Sequence, residues 1–179
     1  ALLESFAAHE RCRAIGENYA QELVAKRDAA AHAEVHFIGQ LQTNKVRQVA
    51  GLVQVYETVD RMRLIDEIAK RDPGAAVLVQ VDTADEPGKG GCAPGEVDAL
   101  VAAARAAGLD VRGLMTVGPT VGGPAAAGDG FRAVRSAVDR LGLSVCSMGM
   151  TDDLEVAVAA GSTQVRVGSA LFGPRPVRT

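Results

Sequence analysis

The stretch LSVCSMGMTDDLEVAVAAGSTQVRVGSALFG (residues 143–173) holds two short apolar runs, Leu143–Val145 and Thr163–Val167, each ending in small residues that carry hydroxyls. The first cluster is Ser147-Met148-Gly149-Met150-Thr151 and the second is Arg166-Val167-Gly168-Ser169. Between them lies an amphipathic helical pattern with Asp152, Asp153 and Glu155 in its first turn. The order is strand, tight turn, helix, strand, tight turn, helix start. If the two strands lie parallel in one sheet, both turns open on the same edge. Backbone N–H groups and hydroxyls then converge on one spot suited to a phosphate, with Arg166 as a planar donor beside it.

The same alternation runs along the rest of the chain. Strand candidates are Cys12–Gly16, Val35–Gly39, Val53–Thr58, Ala76–Asp82, Val111–Val117, Leu143–Ser147 and Thr163–Ser169. Each is short, apolar and almost without polar alternation, as in strands covered on both faces. Helical patterns separate them: Tyr19–Asp28, Thr43–Ala50, Asp60–Arg71, Pro94–Ala107, Gly128–Leu141 and Asp152–Ala160. Asp60 is the expected N-cap of its helix, Pro73-Gly74 its stop, and Gly108 the C-cap of the Ala-rich helix before it. Gly122-Gly123-Pro124 and Gly128-Asp129-Gly130 read as surface loop.

Repeating strand–helix units predict a parallel sheet with right-handed crossovers, either an open doubly wound sheet or a closed barrel. The strand count, with no Gly-x-Gly-x-x-Gly turn after an early strand, favours an α/β barrel of the parallel (β/α)8 kind. Residues Ala1–His9 carry Leu2, Leu3 and Phe6 at helical spacing ahead of the first strand. A helix followed by seven strands is what such a barrel shows without its first strand. The expectation is therefore a barrel with that strand missing and a gap in its wall between Cys12–Gly16 and Thr163–Ser169.

Composition narrows the function classes. The chain has 179 residues, 47% of them hydrophobic, a net charge of −3, only 3% aromatic residues and no Trp. That describes one domain (1–179) with a substantial core, and neither a nucleic acid nor a membrane is expected as partner. Cys12, Cys92 and Cys146 share no metal-ligand spacing and read as small buried or partly buried residues of a reducing compartment, so the expected location is cytoplasmic and no metal is expected.

Six stretches resemble the pyridoxal phosphate homeostasis proteins, a family similar to the barrel domain of alanine racemase standing alone. They are GENYAQEL (16–23), HFIGQLQTNKVR (36–47), LVQVDTADEPGKGG (78–91), RGLMTVGP (112–119), SMGMTDDLEVAVAAGST (147–163) and VRVGSALFGPR (165–175), in the family's order. The resemblance implies a single barrel domain holding pyridoxal 5′-phosphate at its C-terminal mouth. It implies a carrier in vitamin B6 homeostasis, not an enzyme. A monomer or weak homodimer is expected. The resemblance also implies a Schiff-base lysine ending a first strand. The lysines here are Lys26, Lys45, Lys70 and Lys89, and none closes a strand. No catalytic residue is therefore assigned, and binding without a stable covalent link is expected.

The candidate cofactor-binding residues are Asn18, His36, Ser147, Gly149, Met150, Thr151, Arg166, Gly168 and Ser169. Ser147, Gly149–Thr151 and Gly168–Ser169 would form a phosphate cup; the other reading is an ordinary strand-to-helix turn in which Thr151 or Asp152 caps the helix. Arg166 resembles the family's partner of the pyridine nitrogen. A structural ion pair with Glu17 or Asp82 is the other reading of an arginine in a strand. Asn18 ends a strand and either reaches the ring or caps the next helix. His36 lines the cavity or is a hydrogen-bonded core residue. Met115 and Met150 are read as packing. Two other functions remain: a racemase-like enzyme, for which Tyr19 and Tyr56 are the only tyrosines, and a barrel binding a phosphometabolite without covalent chemistry.

Overall fold

The computed structural model describes residues 14–30 and 32–173; the helix expected over Ala1–His9, and Cys12, lie outside them. Six parallel strands are paired in the order in which they occur. They are β1 (Ala14–Glu17), β2 (Glu34–Phe37), β3 (Val55–Val59), β4 (Ala76–Gln80), β5 (Asp110–Met115) and β6 (Val145–Ser147). The helices between and after them are α1 (Ala20–Ala30), α2 (Val46–Val49), α3 (Met62–Arg71), α4 (Val97–Ala106), α5 (Gly128–Arg140), α6 (Leu154–Ala159) and α7 (Ser169–Phe172), the last two following β6.

Sequential order is what separates a barrel from a doubly wound sheet. Right-handed crossovers that never reverse direction place every helix on one face of the sheet. The apolar residues divide accordingly. Val35, Phe37, Tyr56, Val77, Val79, Leu114 and Cys146 pack with helix residues such as Leu23, Leu64, Ile68, Val101 and Phe131. Val55, Ala76, Leu78 and Met115 form a smaller cluster on the opposite face.

The sheet is curled, and side-chain reach proves it. In a flat sheet β3 and β6 would lie roughly 14 Å apart, three strand spacings. Yet Ser147 Oγ on β6 is 2.6 Å from Glu57 Oε2 on β3. At the opposite strand ends Arg112 on β5 comes within 3.6 Å of Glu34 on β2, again across two intervening strands. The fold is thus a parallel α/β barrel wall of six strands, with no ladder joining β1 to β6 among the described residues.

The expected seventh strand, Thr163–Ser169, does not form. The segment runs beside β6, with Gln164 N–H donating to Cys146 O at 3.2 Å and Met148 N–H to Gln164 O at 3.1 Å. Only one parallel bridge, Ser147 to Gln164, results. Two causes end the ladder. Gly149 turns the chain with φ +95°, where an added Cβ would lie 2.5 Å from Ala157 Cβ. In addition, the Cys146 amide donates to the Thr163 hydroxyl instead of a backbone carbonyl. Other boundaries move as well. Arg61, not Asp60, is the N-cap of α3; the Asp60 carboxylate instead accepts from the Arg61 guanidinium. Gly128–Gly130 form the first turn of α5 rather than a loop. Met115 is buried as expected, whereas Met150 is exposed.

The loop after β4 is strapped across the loop after β5. Lys89 Nζ donates to Gly118 O at 2.6 Å and pairs with Glu86 at 2.8 Å. Glu86 also accepts from the Thr120 amide at 2.8 Å. Together these bonds hold the Glu86 carboxyl down at about 2. A depressed carboxyl pKa contributes stability above its unfolded value and loses it as pH falls through the folded one. NMR titration should therefore find Glu86 near 2 in the native chain, and Lys89→Ala should move it toward the usual glutamate value of about 4.3; an unmoved titration would contradict the strap.

A second expectation concerns the β5–β6 seam. A Cβ on Gly113 would lie 1.9 Å from Val145 O, so β6 can approach only a glycine there. Gly113→Ala should cost about 2–3 kcal/mol by overpacking, read as a lowered urea midpoint. An unchanged midpoint would show that the seam is looser than described.

Candidate functional site

Alternation along the strands turns His36, Glu57 and Ser147 away from the helices and into the barrel interior. All three are buried, and Glu57 is completely so. A bare carboxylate in such a place would be very costly, so its partners define the site. Glu57 Oε1 lies 2.5 Å from His36 Nδ1 and accepts from Gln164 Nε2 at 2.5 Å. Glu57 Oε2 accepts from the Ser147 hydroxyl at 2.6 Å. Burial pushes the Glu57 carboxyl up, but the His36 and Ser147 hydrogen bonds and the Arg166 charge outweigh it and hold the group below its ordinary value.

Arg166 sits at the mouth above this carboxylate. Its Nη1 donates to Ser147 Oγ at 2.8 Å and its Nη2 to the Thr116 carbonyl at 2.8 Å. Its backbone N–H donates to Gly149 O at 2.9 Å, which places the residue against the turn after β6. The residue keeps partial exposure while its guanidinium is the enclosed end. Burial lowers its pKa, opposed by the charges of Glu57 and Asp153. An arginine stays protonated regardless, so it presents donors only.

Neither carboxylate proposed from the sequence meets this arginine. Glu17 faces the helix layer and pairs with Lys26 at 3.2 Å. Asp82 closes its own turn, accepting from the Ala84 and Asp85 amides at 3.0 Å. The carboxylate beneath Arg166 is Glu57, which the sequence reading missed. Its signal was a glutamate inside VYETV, a strand whose every residue is buried.

The other candidates gather at the strand ends around Arg166. The Ser169 hydroxyl donates to Thr151 Oγ1 at 3.1 Å, joining the two turns. The Met150 amide donates to Asp153 Oδ1 at 2.6 Å and is thereby occupied. Asp153, not Thr151 or Asp152, is the N-cap of α6. Gly168 precedes α7 and has open space where a Cβ would stand. Asn18 follows β1, and its backbone is so close to Gly39 that a Cβ there would lie 2.0 Å from Asn18 O. His36 belongs to the buried network, and its Nε2 has no hydrogen-bond partner among the described residues, Glu34 lying 3.6 Å away. Lys26 and Lys70 lie on exposed helix faces, Lys45 ends a 3-10 turn, and Lys89 is held in the strap. Cys92 and Cys146 are buried, which pushes both thiols up to about 11.

Residues 2–176 match the family model of the alanine racemase N-terminal domain. The pyridoxal phosphate homeostasis protein of Pseudomonas aeruginosa is 38% identical over 172 residues, covering 91% of this chain and 75% of that protein. The protein of the same name from Escherichia coli is 39% identical over 184 residues, covering 91% and 76%. Among solved structures, PipY of Synechococcus elongatus superposes with a TM-score of 0.83 without pyridoxal phosphate and 0.80 with it bound. Each covers 95% of this chain and 85% of PipY at 30% identity. Alanine racemase from Clostridium difficile shares the fold at 14% identity, with a TM-score of 0.73. With the fold, the motif order and these relatives in agreement, the chain belongs to the alanine racemase N-terminal domain family and, within it, to the pyridoxal phosphate homeostasis proteins.

Proposed function

We propose that this chain, as a single barrel domain over residues 1–179, binds pyridoxal 5′-phosphate at the C-terminal mouth and holds it without turning over a substrate. The observation that carries the reading is the enclosed Arg166 guanidinium, fixed at the strand ends above a buried carboxylate. The relatives' name and the PipY complex supply the identity of the ligand.

The residues present fit the group. Arg166 spends donors on Ser147 and Thr116 and retains Nε–H and further Nη–H donors. A donor of this kind favours an unprotonated ring nitrogen, which weakens the ring as an electron sink and suits a holder. The phosphate would lie against the turns at Gly149–Thr151 and Gly168–Ser169, where glycine lets backbone approach closely and Thr151 and Ser169 offer hydroxyls. Because the Met150 amide is held by Asp153, Thr151, Gly168 and Ser169 carry most of that contact. Asn18 would wall the site from the β1 side, and His36 would support it from beneath through Glu57. Pyridoxal phosphate supplies a reactive aldehyde when bound; the lysines of this chain lie in α1, α3, a 3-10 turn and the strap.

A racemase reading needs a second proton-transfer group over the site. Tyr56 does not serve, being buried with its hydroxyl donating to Asp72 at 2.8 Å. Holding is favoured over turnover because the relatives are named for pyridoxal phosphate homeostasis and Tyr56 is committed to Asp72.

Spectroscopic titration should show saturable binding of pyridoxal phosphate and at least tenfold weaker binding of pyridoxal. Arg166→Ala should lose tenfold or more, about 1.4 kcal/mol. Equal affinity for the two ligands, or an unaffected Arg166→Ala variant, would overturn the assignment.

A further inference from the structure

We propose that Glu57 is the positioning residue for Arg166, acting through the Ser147 hydroxyl, and that Ser147 is a relay beneath the site and not a ligand contact. The inference deepens the reading of the mouth as a pyridoxal phosphate site and rests on it for the ligand, but not for the orientation of the arginine.

Proton counting fixes the direction of the relay. A guanidinium has no lone pair to offer, so at 2.8 Å Ser147 Oγ must accept from Arg166. The hydroxyl has one proton, and Glu57 Oε2 at 2.6 Å takes it. The remaining contact of Ser147, with Gln164 Nε2 at 3.4 Å, is also to a donor. Ser147 is fully buried with its proton committed, so it has none to give a phosphate above it. Glu57 is held in turn: Gln164 Nε2 donates to Oε1 at 2.5 Å, and His36 Nδ1 lies 2.5 Å from the same oxygen. A carboxylate can only accept, so the proton of that contact sits on His36 Nδ1. The guanidinium is thus tied at one end to a carboxylate through one oxygen and at the other to the Thr116 carbonyl at 2.8 Å. Both ties come from the barrel wall, which leaves the outer N–H donors aimed by the fold.

This arrangement separates two kinds of contact that a phosphate cup including Ser147 would merge. A residue that aims the arginine affects the ring end of the ligand. A residue that donates to phosphate affects the phosphate end. Two probes therefore distinguish the roles: pyridoxal phosphate, which engages both ends, and inorganic phosphate, which engages one.

The experiment uses the whole chain with Glu57→Gln, Ser147→Ala and Ser147→Thr, each checked by circular dichroism. In the ligand-free protein, NMR of the Arg166 guanidinium should show restrained Nη rotation in the native chain. Ser147→Ala and Glu57→Gln should release it, and Ser147→Thr, which keeps the hydroxyl, should restore it. In titrations, Ser147→Ala should weaken pyridoxal phosphate tenfold or more and shift the absorbance of the bound ring. Inorganic phosphate affinity should stay within twofold. Should Glu57→Gln fail to fold, Ser147→Ala, which removes a single oxygen, decides the matter by the same readouts. Equal weakening of both probes would make Ser147 a phosphate ligand and overturn the relay. An Arg166 signal unchanged in Ser147→Ala would overturn it too. Failure of the native chain to bind pyridoxal phosphate would overturn the proposed function alone, because the ligand-free NMR comparison still decides the positioning role.

Discussion

A carboxylate with no access to solvent, Glu57, sits at the centre of the barrel interior, and the arrangement of the mouth follows from the need to satisfy it. Its oxygens collect one group from β2, one from β6 and one from the segment after α6. These elements meet only because the sheet curls, so packing and electrostatics specify the same geometry. Removing one partner of such a set leaves an uncompensated charge, which is far more damaging than losing a surface ion pair. The surface pairs, such as Arg140 with Asp98 at 2.9 Å, are exposed on both sides and contribute little by comparison.

The interior also explains why the barrel has two unlike ends. At the N-terminal strand ends Glu34 and Arg112 approach across the opening with substantial exposure. Toward the mouth, polar groups become buried and mutually bonded. Thr116 donates to Val81 O at 2.8 Å, and Gln80 donates to Gly90 O at 2.7 Å, fixing the loop after β4. The mouth is thereby built from side chains that brace backbone. That is the rigidity a site needs if it is to hold a flat, doubly anchored ligand in one pose.

Much of this was legible in the sequence. Strands such as Val77–Val79 announce themselves by being apolar on both faces, and the order of strand and helix patterns implied parallel pairing. The family motifs placed Arg166 and the two glycine turns at a common edge. What could not be read was which acid lies under the arginine. Glu17 and Asp82 were the candidates, yet Glu17 shares the face of Ile15, toward the helices, and Asp82 falls beyond β4. Glu57 shares the inward face with Val55, but nothing local in VYETV says that this face closes on β6. Curvature is a property of the whole sheet. The loss of the seventh strand has a similar cause, since Thr163 competes for the Cys146 amide through its side chain, where strand propensity is blind.

The central claim is that the fixed Arg166 at the strand ends marks where pyridoxal phosphate sits. The most direct measurement is a crystal structure of this chain grown with pyridoxal phosphate. The account predicts the ring beside the Arg166 guanidinium, the phosphate against Thr151, Gly168 and Ser169, and the Glu57–Ser147 bond intact beneath. Density for the ligand at Lys45 or Lys89, or at the N-terminal strand ends beside Glu34 and Arg112, would contradict it.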